Sequence, residues 1–481
     1  MSGSALRGTA TGPGTRRGAD SFGVGARTLG RTGLTVAPVG FGAARVRDDS
    51  ALHRRALADA LRGGVNLIDT SAHAVGGSGE RLVGTMLANL VQHGELRREQ
   101  VVVVSRVGRT QGAETSSIDP TTIRAQLDAS LERLGLERLD VLLLHDPERS
   151  EGDDLDARLS LAFDELEMLV QQGRIGWYGV SSGGFAEPPG SERALSLQHL
   201  LSLAESVGGS AHHFGVARMP LNLFELGAAV RHGDGPSTVE VAAAADVGVL
   251  AHRSLDAFVE RGPSMIRLAD VPEAEGDFGA ADEVLGRVRK LEAEWATGLG
   301  KQLMVGPDEN AIDLFRWGQE LAPRLPALTL EQWTHLRHEV VAPHLGRTSA
   351  ALLDALEGEP RQAFAGWWER YGTVLHEAFE AVEGALRSRR RDLAGRIGDA
   401  LDSVLPEPWR ELPLSNKAIL TALCAPVSCV AVGMRQPGYV HDVLALREHP
   451  VRLLGASAGP VDFGALASAM ATVELPRAAA D

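Results

Sequence analysis

The chain has 481 residues, more than one ordinary domain uses, although a single α/β barrel occupies about 250. At 44% hydrophobic residues it can bury a sizeable core, and no run of about 18 apolar residues is present to span a membrane. A formal net charge of −15 argues against nucleic acid as a partner, and two cysteines, Cys424 and Cys429, make neither a disulfide framework nor an iron–sulfur ligand set. No metal is expected, and cytoplasm is the expected compartment.

Residues 1–26 are small, polar and Gly-rich, which reads as a disordered leader without a secretory signal. From residue 27 to 255, apolar strand signals alternate with amphipathic helical stretches. After a short hairpin leading into a first strand within 27–46, the strands fall at 66–70, 101–107, 140–147, 175–182, 214–221 and 248–255. Between them, Ile123, Leu127, Leu131 and Leu134 step along one helical face. The strands are continuous apolar runs, as in a parallel sheet covered on both faces. With an eighth strand at Val427–Val432, in the returning segment 413–449, the pattern predicts a (β/α)8 TIM barrel.

Residues 256–412 interrupt that rhythm with long helical patterns, including Phe364, Trp368, Tyr371, Leu375, Phe379, Val382 and Leu386. Six of the seven tryptophans lie here, Trp409 among them, so a helical insertion domain with its own core is expected between strands seven and eight. The run Arg387, Arg389, Arg390 and Arg391 reads as a solvated helix face. Residues 450–481 form a C-terminal tail with a weak helical pattern and an Ala-rich end.

Barrel enzymes of this architecture place their sites at the C-terminal ends of the strands. Here those ends carry Asp69, Arg106, His145, Ser181, Ser182, Arg218, His252 and Arg253, a polar ring above an apolar barrel. Within it, residues 63–87 run from the helix-ending Gly63-Gly64 through a buried strand to Asp69 and Thr70, then a Gly-rich loop and a helix from Glu80. A carboxylate at such a strand end is either a solvated cap or a group that is paired and used.

This stretch resembles the second βα unit of the aldo/keto reductases. Asp69, Thr70 and Glu80 match that family's Asp-Thr-Ala and its later Glu, while Ala74 stands at the position of the catalytic Tyr. Residues 27–46 are similar to the family's opening segment, with Ala37 in place of a Ser. The resemblance implies hydride exchange between NADP(H) and a small carbonyl substrate, served by an Asp, Tyr, Lys and His. Asp69 and His145 match; Arg106 replaces the Lys, and no lysine precedes Lys290 to substitute for it. Of the cofactor positions, Ser181 matches, Ser182 replaces an Asn, Arg218 a Gln and Leu221 a stacking aromatic; Arg253-Ser254-Leu255 replaces Ser-Pro-Leu. Gly433, Arg435 and Pro437 match the pattern that grips the adenosine end, with Asp442 in place of a Glu. Arg435 suits a 2′-phosphate, or is a surface arginine at the start of the last helix.

These matches imply a divergent NADP(H)-dependent oxidoreductase of aldehydes or ketones, with weakened cofactor binding and weak or absent ordinary turnover. Two other readings stand beside it. In one, the barrel is active with His73 or His145 as the acid, both titrating near neutrality. In the other, it is a non-catalytic scaffold whose helical insertion engages a protein partner.

Overall fold

Eight short strands, all paired in parallel, close into a barrel in the computed structural model: β1 (Val39–Gly42), β2 (Leu67–Asp69), β3 (Val102–Val107), β4 (Leu139–His145), β5 (Ile175–Ser181), β6 (Phe214–Pro220), β7 (Gly248–His252) and β8 (Cys429–Val432). β8 supplies the closure, pairing Val430 with Val39 on one side and Cys429 with Leu250 on the other. The structure describes residues 5–109, 115–259, 265–271, 276–302, 313–448 and 461–475. Every residue of β3, β4 and β6 is buried, so these strands are covered on both faces, as expected where helices cover the outside and side chains fill the inside.

Side chains alternate between the two faces of a strand, so the inward rows can be followed by counting in twos. Leu67, Val102, Val104, Val141, Leu143, Val216, Leu250 and Cys429 form one interior cluster. Leu29, Leu34 and Val36, from the antiparallel hairpin of Arg27–Thr28 and Thr35–Val36, join the same cluster, as does Ala10. At Gly40 an added Cβ would lie 2.9 Å from Leu67 Cδ2 and 3.0 Å from Cys429 Sγ, so β1 needs glycine where it faces this packed interior.

The first residues depart from the disordered leader that their composition suggests. Gly12–Asp20 is a helix, with Thr11 accepting the Gly14 N–H at its start. The glycines serve close packing: a Cβ at Gly14 would fall 2.4 Å from the Glu99 carbonyl oxygen, and one at Gly18 would fall 2.6 Å from that of Gln100. Just before the helix, Thr9 Oγ1 (2.6 Å) and the Ala10 N–H (2.8 Å) donate to Asp140 Oδ1. The other oxygen of Asp140 accepts from Arg98 Nη2 and the Val103 N–H, each at 2.7 Å. A buried carboxylate with four donors ties the N-terminal segment to β3 and β4.

The chain separates into two compact units, the barrel unit of Met1–Ala257 with Ala400–Thr472, and a second of Phe258–Asp399 with Val473–Asp481. The second is helical over most of its described length, including Phe278–Thr297, Ala342–Ala355 and most of the long helix Gly358–Asp402. Its core packs Trp295, Phe315, Phe364, Trp367 and Tyr371 in edge and stacked contacts. Within this core the buried carboxylate of Glu292 accepts from Tyr371 Oη at 3.1 Å and from the Gly318 N–H at 2.7 Å.

The arginine run is solvated only in part: Arg387 and Arg391 are exposed, whereas Arg389 and Arg390 are half-buried. Arg389 donates to the carbonyl of Pro326 at 2.6 Å and also to that of Leu328, while Arg390 reaches Glu331 at 2.8 Å. Trp409, grouped by sequence with the insertion, belongs to the barrel unit, where residues 400–423 are held partly by the 2.7 Å contact from Lys417 Nζ to Asp402. In the C-terminal tail, Phe463–Ala471 is helical, and residues 450–460 and 476–481 lie outside the described residues.

Replacing Asp140 with Ala strands the buried Arg98 guanidinium without its carboxylate. The expected cost is about 3–5 kcal/mol. Urea unfolding followed by far-UV circular dichroism measures it, and a loss below 1 kcal/mol would show that the N-terminal tie is dispensable.

Candidate functional site

The counting that fills the barrel also builds its mouth. Two residues beyond Leu67 is Asp69; beyond Val104 is Arg106; beyond Leu143 is His145; beyond Val216 is Arg218; beyond Leu250 is His252. Each apolar inward row therefore ends on a charged or titratable side chain at its strand's C-terminal end. Asp69, Arg106, His145 and Arg218 are all buried.

Across this mouth the central contact is between Asp69 and Arg218. Arg218 donates from Nε (3.0 Å) and Nη2 (2.9 Å) to Asp69 Oδ2, and from Nη1 to Ser181 Oγ at 3.1 Å. Burial works against the charge on Asp69, but Arg218 and then Arg106 outweigh it and hold the carboxyl below its usual range. Asp69 Oδ1, Arg106 Nε, His145 Nδ1 and His252 Nδ1 are buried without hydrogen-bond partners among the described residues.

The loops after the strands carry the strained backbone of the barrel's C-terminal face. Val75, Asp146 and Arg253 all take positive φ, at 52°, 47° and 59°, a conformation that costs a non-glycine residue on the order of 1–3 kcal/mol. Val75 follows Ala74 in the short turn Ala74–Gly77, whose first residue is preceded by His73. The His73 and His145 rings stand 4.6 Å apart between centroids. Asp146 accepts from Arg109 Nη1 at 3.0 Å and lies 3.6 Å from His145 Nε2.

Neither imidazole titrates near neutrality, as the sequence suggested it would. Burial, followed by the Arg106, Arg109 and Arg218 charges, lowers His73 to about 4. His145 and His252 are likewise depressed well below the ordinary range, first by burial and then by the surrounding arginines. All three rings are neutral at pH 7.

The remaining predicted residues divide by location. Ser182 is already committed, donating to Glu148 Oε1 at 2.6 Å and accepting the Gly184 N–H at 2.8 Å. Arg253 is ion-paired to Glu225, and Leu221 is fully buried, with no face open for stacking. Arg435 lies near His53, whose pKa it helps lower after burial, and Asp442 is exposed on the last helix, Pro437–Leu444. That helix starts with no side-chain cap at Gln436, and a Cβ at Gly433 would meet nothing within 4 Å. Sequence reasoning missed Arg109, Asp146, Glu148 and Glu225, which pair the polar ring. Their strand-end loops follow β3, β4 and β6, and only the positive φ of Asp146 marks one of them as unusual. Glu80, matched to the family's loop Glu by resemblance, is structural: it accepts from Ser105 Oγ and Arg133 Nε, each at 2.6 Å.

Residues 38–187 match the model of the aldo/keto reductase family. The chain is similar to an L-galactose dehydrogenase of Arabidopsis thaliana, 33% identical over 162 residues, covering 32% of this chain and 47% of that protein. It is similar also to a D-threo-aldose 1-dehydrogenase of a Pseudomonas species (31% identical; 31% and 51% covered) and to an uncharacterized oxidoreductase of Bacillus subtilis (27%; 32% and 48%). The chain thus spans about half the length of these curated relatives.

The depressed imidazoles link pH to stability. Below pH 6.5 the unfolded chain protonates them while the folded chain does not, so stability falls as pH drops from 6.5 towards 4 and is fully present above that window. Thermal melts of wild type and His73→Gln across pH 4–7 should show a shallower acid loss in the variant. Parallel curves would mean that His73 is charged in the folded mouth.

Proposed function

We propose, from the match of residues 38–187 to the aldo/keto reductase family model, that the barrel is an NADP(H)-binding oxidoreductase fold whose ordinary aldehyde and ketone reduction is weak or absent. The observation that carries this reading is the commitment of Asp69 to Arg218. In the family arrangement implied by the sequence, an Asp-paired Lys makes a Tyr hydroxyl a better acid. Here the carboxylate serves another strand, Arg106 replaces the ammonium with a planar and more basic guanidinium, and position 74 is Ala. His73 and His145, neutral at pH 7, are not charged acids either. Tyr178 packs against Phe163 and Phe214, and burial beside Glu167 pushes its hydroxyl away from ionisation. A missing proton donor costs about 10²–10⁴ in rate.

NADP(H), when bound, supplies or takes the hydride. The residues fit it unequally. At the adenosine end, Arg435, the open space at Gly433 and the uncapped start of Pro437–Leu444 suit a phosphate. At the nicotinamide end, Ser182 is held by Glu148, Arg253 by Glu225, and Leu221 is buried. Binding is therefore carried by the phosphate end, with the reactive ring poorly fixed. No helix among the described residues is long and apolar enough to cross a membrane, and the cytoplasm is the compartment we assign.

Fluorescence titration should show NADPH binding more tightly than NADH, with Arg435→Gln removing most of the difference. Equal affinity in the wild type would remove Arg435 from the site. With NADPH and 4-nitrobenzaldehyde, the wild type should turn over negligibly, and Ala74→Tyr combined with Arg106→Lys should raise the rate. Wild-type turnover at ordinary reductase rates would overturn the broken-site reading; loss of that activity in His73→Ala would then assign the imidazole as the acid.

A second reading, in which the helical unit recruits a protein partner, draws support from its self-contained aromatic core. A chain that binds neither NADPH nor NADH would favour it.

A further inference from the structure

The charges at the mouth do not balance. Asp69 accepts the fork of Arg218, Asp146 the guanidinium of Arg109 with Arg149 3.8 Å away, and Glu225 pairs with Arg253. Glu148, the other carboxyl nearby, accepts the Ser182 hydroxyl, and burial raises its pKa. Arg106 is 6% exposed, its Nε is unpartnered, and it shares the mouth with imidazoles that carry no charge at neutral pH. It acts on Asp69 through the field: no hydrogen bond joins the two among the described residues, although Asp69 Oδ1 is also unpartnered. A buried guanidinium without its own carboxylate costs several kcal/mol. Its position ends the inward row of β3, and Asp69 Oδ1, His145 Nδ1 and His252 Nδ1, at the ends of other inward rows, also lack partners among the described residues.

From this geometry we infer that the mouth takes a small carbonyl compound bearing a carboxylate, such as a 2-oxo acid, with Arg106 holding the carboxylate. A planar guanidinium presents paired N–H donors that match two carboxylate oxygens. Among the described residues no carboxylate hydrogen-bonds Arg106, and a carboxylate-bearing ligand supplies one. A neutral aldehyde or ketone leaves the cation unanswered. The neutral imidazoles add donors or acceptors for the adjacent carbonyl oxygen without adding charge. Arg106, read against the family pattern as a damaged lysine position, becomes in this arrangement a specificity-determining residue.

This ligand class rests on the reading of the mouth as the carbonyl site, and the test separates the two. Calorimetric titration of the full chain at low ionic strength, with and without saturating NADPH, uses oxamate, 2-oxobutyrate, neutral 2-butanone and inorganic phosphate as probes. Oxamate and 2-oxobutyrate should bind, 2-butanone should not, and phosphate should bind more weakly than oxamate. Arg106→Gln should weaken oxamate on the order of 30-fold or more, and Arg106→Lys should restore part of the loss. Thermal melts guard against a folding defect: oxamate should raise the wild-type midpoint and leave that of a folded Arg106→Gln unmoved. Equal binding of 2-butanone and 2-oxobutyrate, a preference for phosphate, no oxamate binding, or an unchanged Arg106→Gln affinity overturns the assignment. Oxamate binding in a chain that binds no NADPH would keep the acid site and discard the oxidoreductase reading.

Discussion

A single carboxylate oxygen sets the character of the barrel mouth. Asp69 Oδ2 receives two donors from Arg218, and β2 and β6, which supply the two residues, lie four strands apart in a ring of eight. The contact is therefore a brace across the opening. Arg218 on β6 takes the carboxylate's Oδ2, and Arg106 on β3 makes no hydrogen bond to that carboxylate among the described residues. The imidazoles are neutral first because burial desolvates them and then because the guanidinium charges crowd them.

Much of this was legible in the sequence because the side-chain period of a strand is two. Continuous apolar runs alternating with helical stretches identify a closed parallel barrel, and the structure places eight parallel strands within or beside the predicted segments. The same period carries Asp69, Arg106, His145 and Arg218 to one opening. Their pairing was less legible. Nothing in the chain order states that Asp69 chooses Arg218 over Arg106, because that choice depends on the reach of side chains from strands 149 positions apart. The imidazole pKa values were misjudged for a related reason, since local sequence contains neither burial nor the field of three arginines.

Composition misled in two places, and the cause is the same. Glycine at 14 and 18 suggested a flexible leader, yet there it permits backbone to approach backbone. The arginines at 389 and 390 suggested a wet helix face, yet they satisfy carbonyls and a carboxylate of residues 326–331. Small or charged residues suit either solvent or a close polar fit, and only the partner distinguishes the two. The long helical pattern, by contrast, could be read directly, because Phe364, Tyr371, Leu375 and Phe379 fall on one face whatever they pack against.

The closure of the barrel by β8 has a consequence for synthesis. About 180 residues separate the end of β7 from the strand that must sit beside it. On a ribosome adding about 5–20 residues per second, the first seven strands wait roughly 10–35 seconds with both outer edges unpaired. Open parallel edges are templates for any other extended chain, including a neighbouring copy on the same message. The interval is imposed by where the helical unit interrupts the barrel, and it lengthens in proportion to how slowly residues 256–428 are translated.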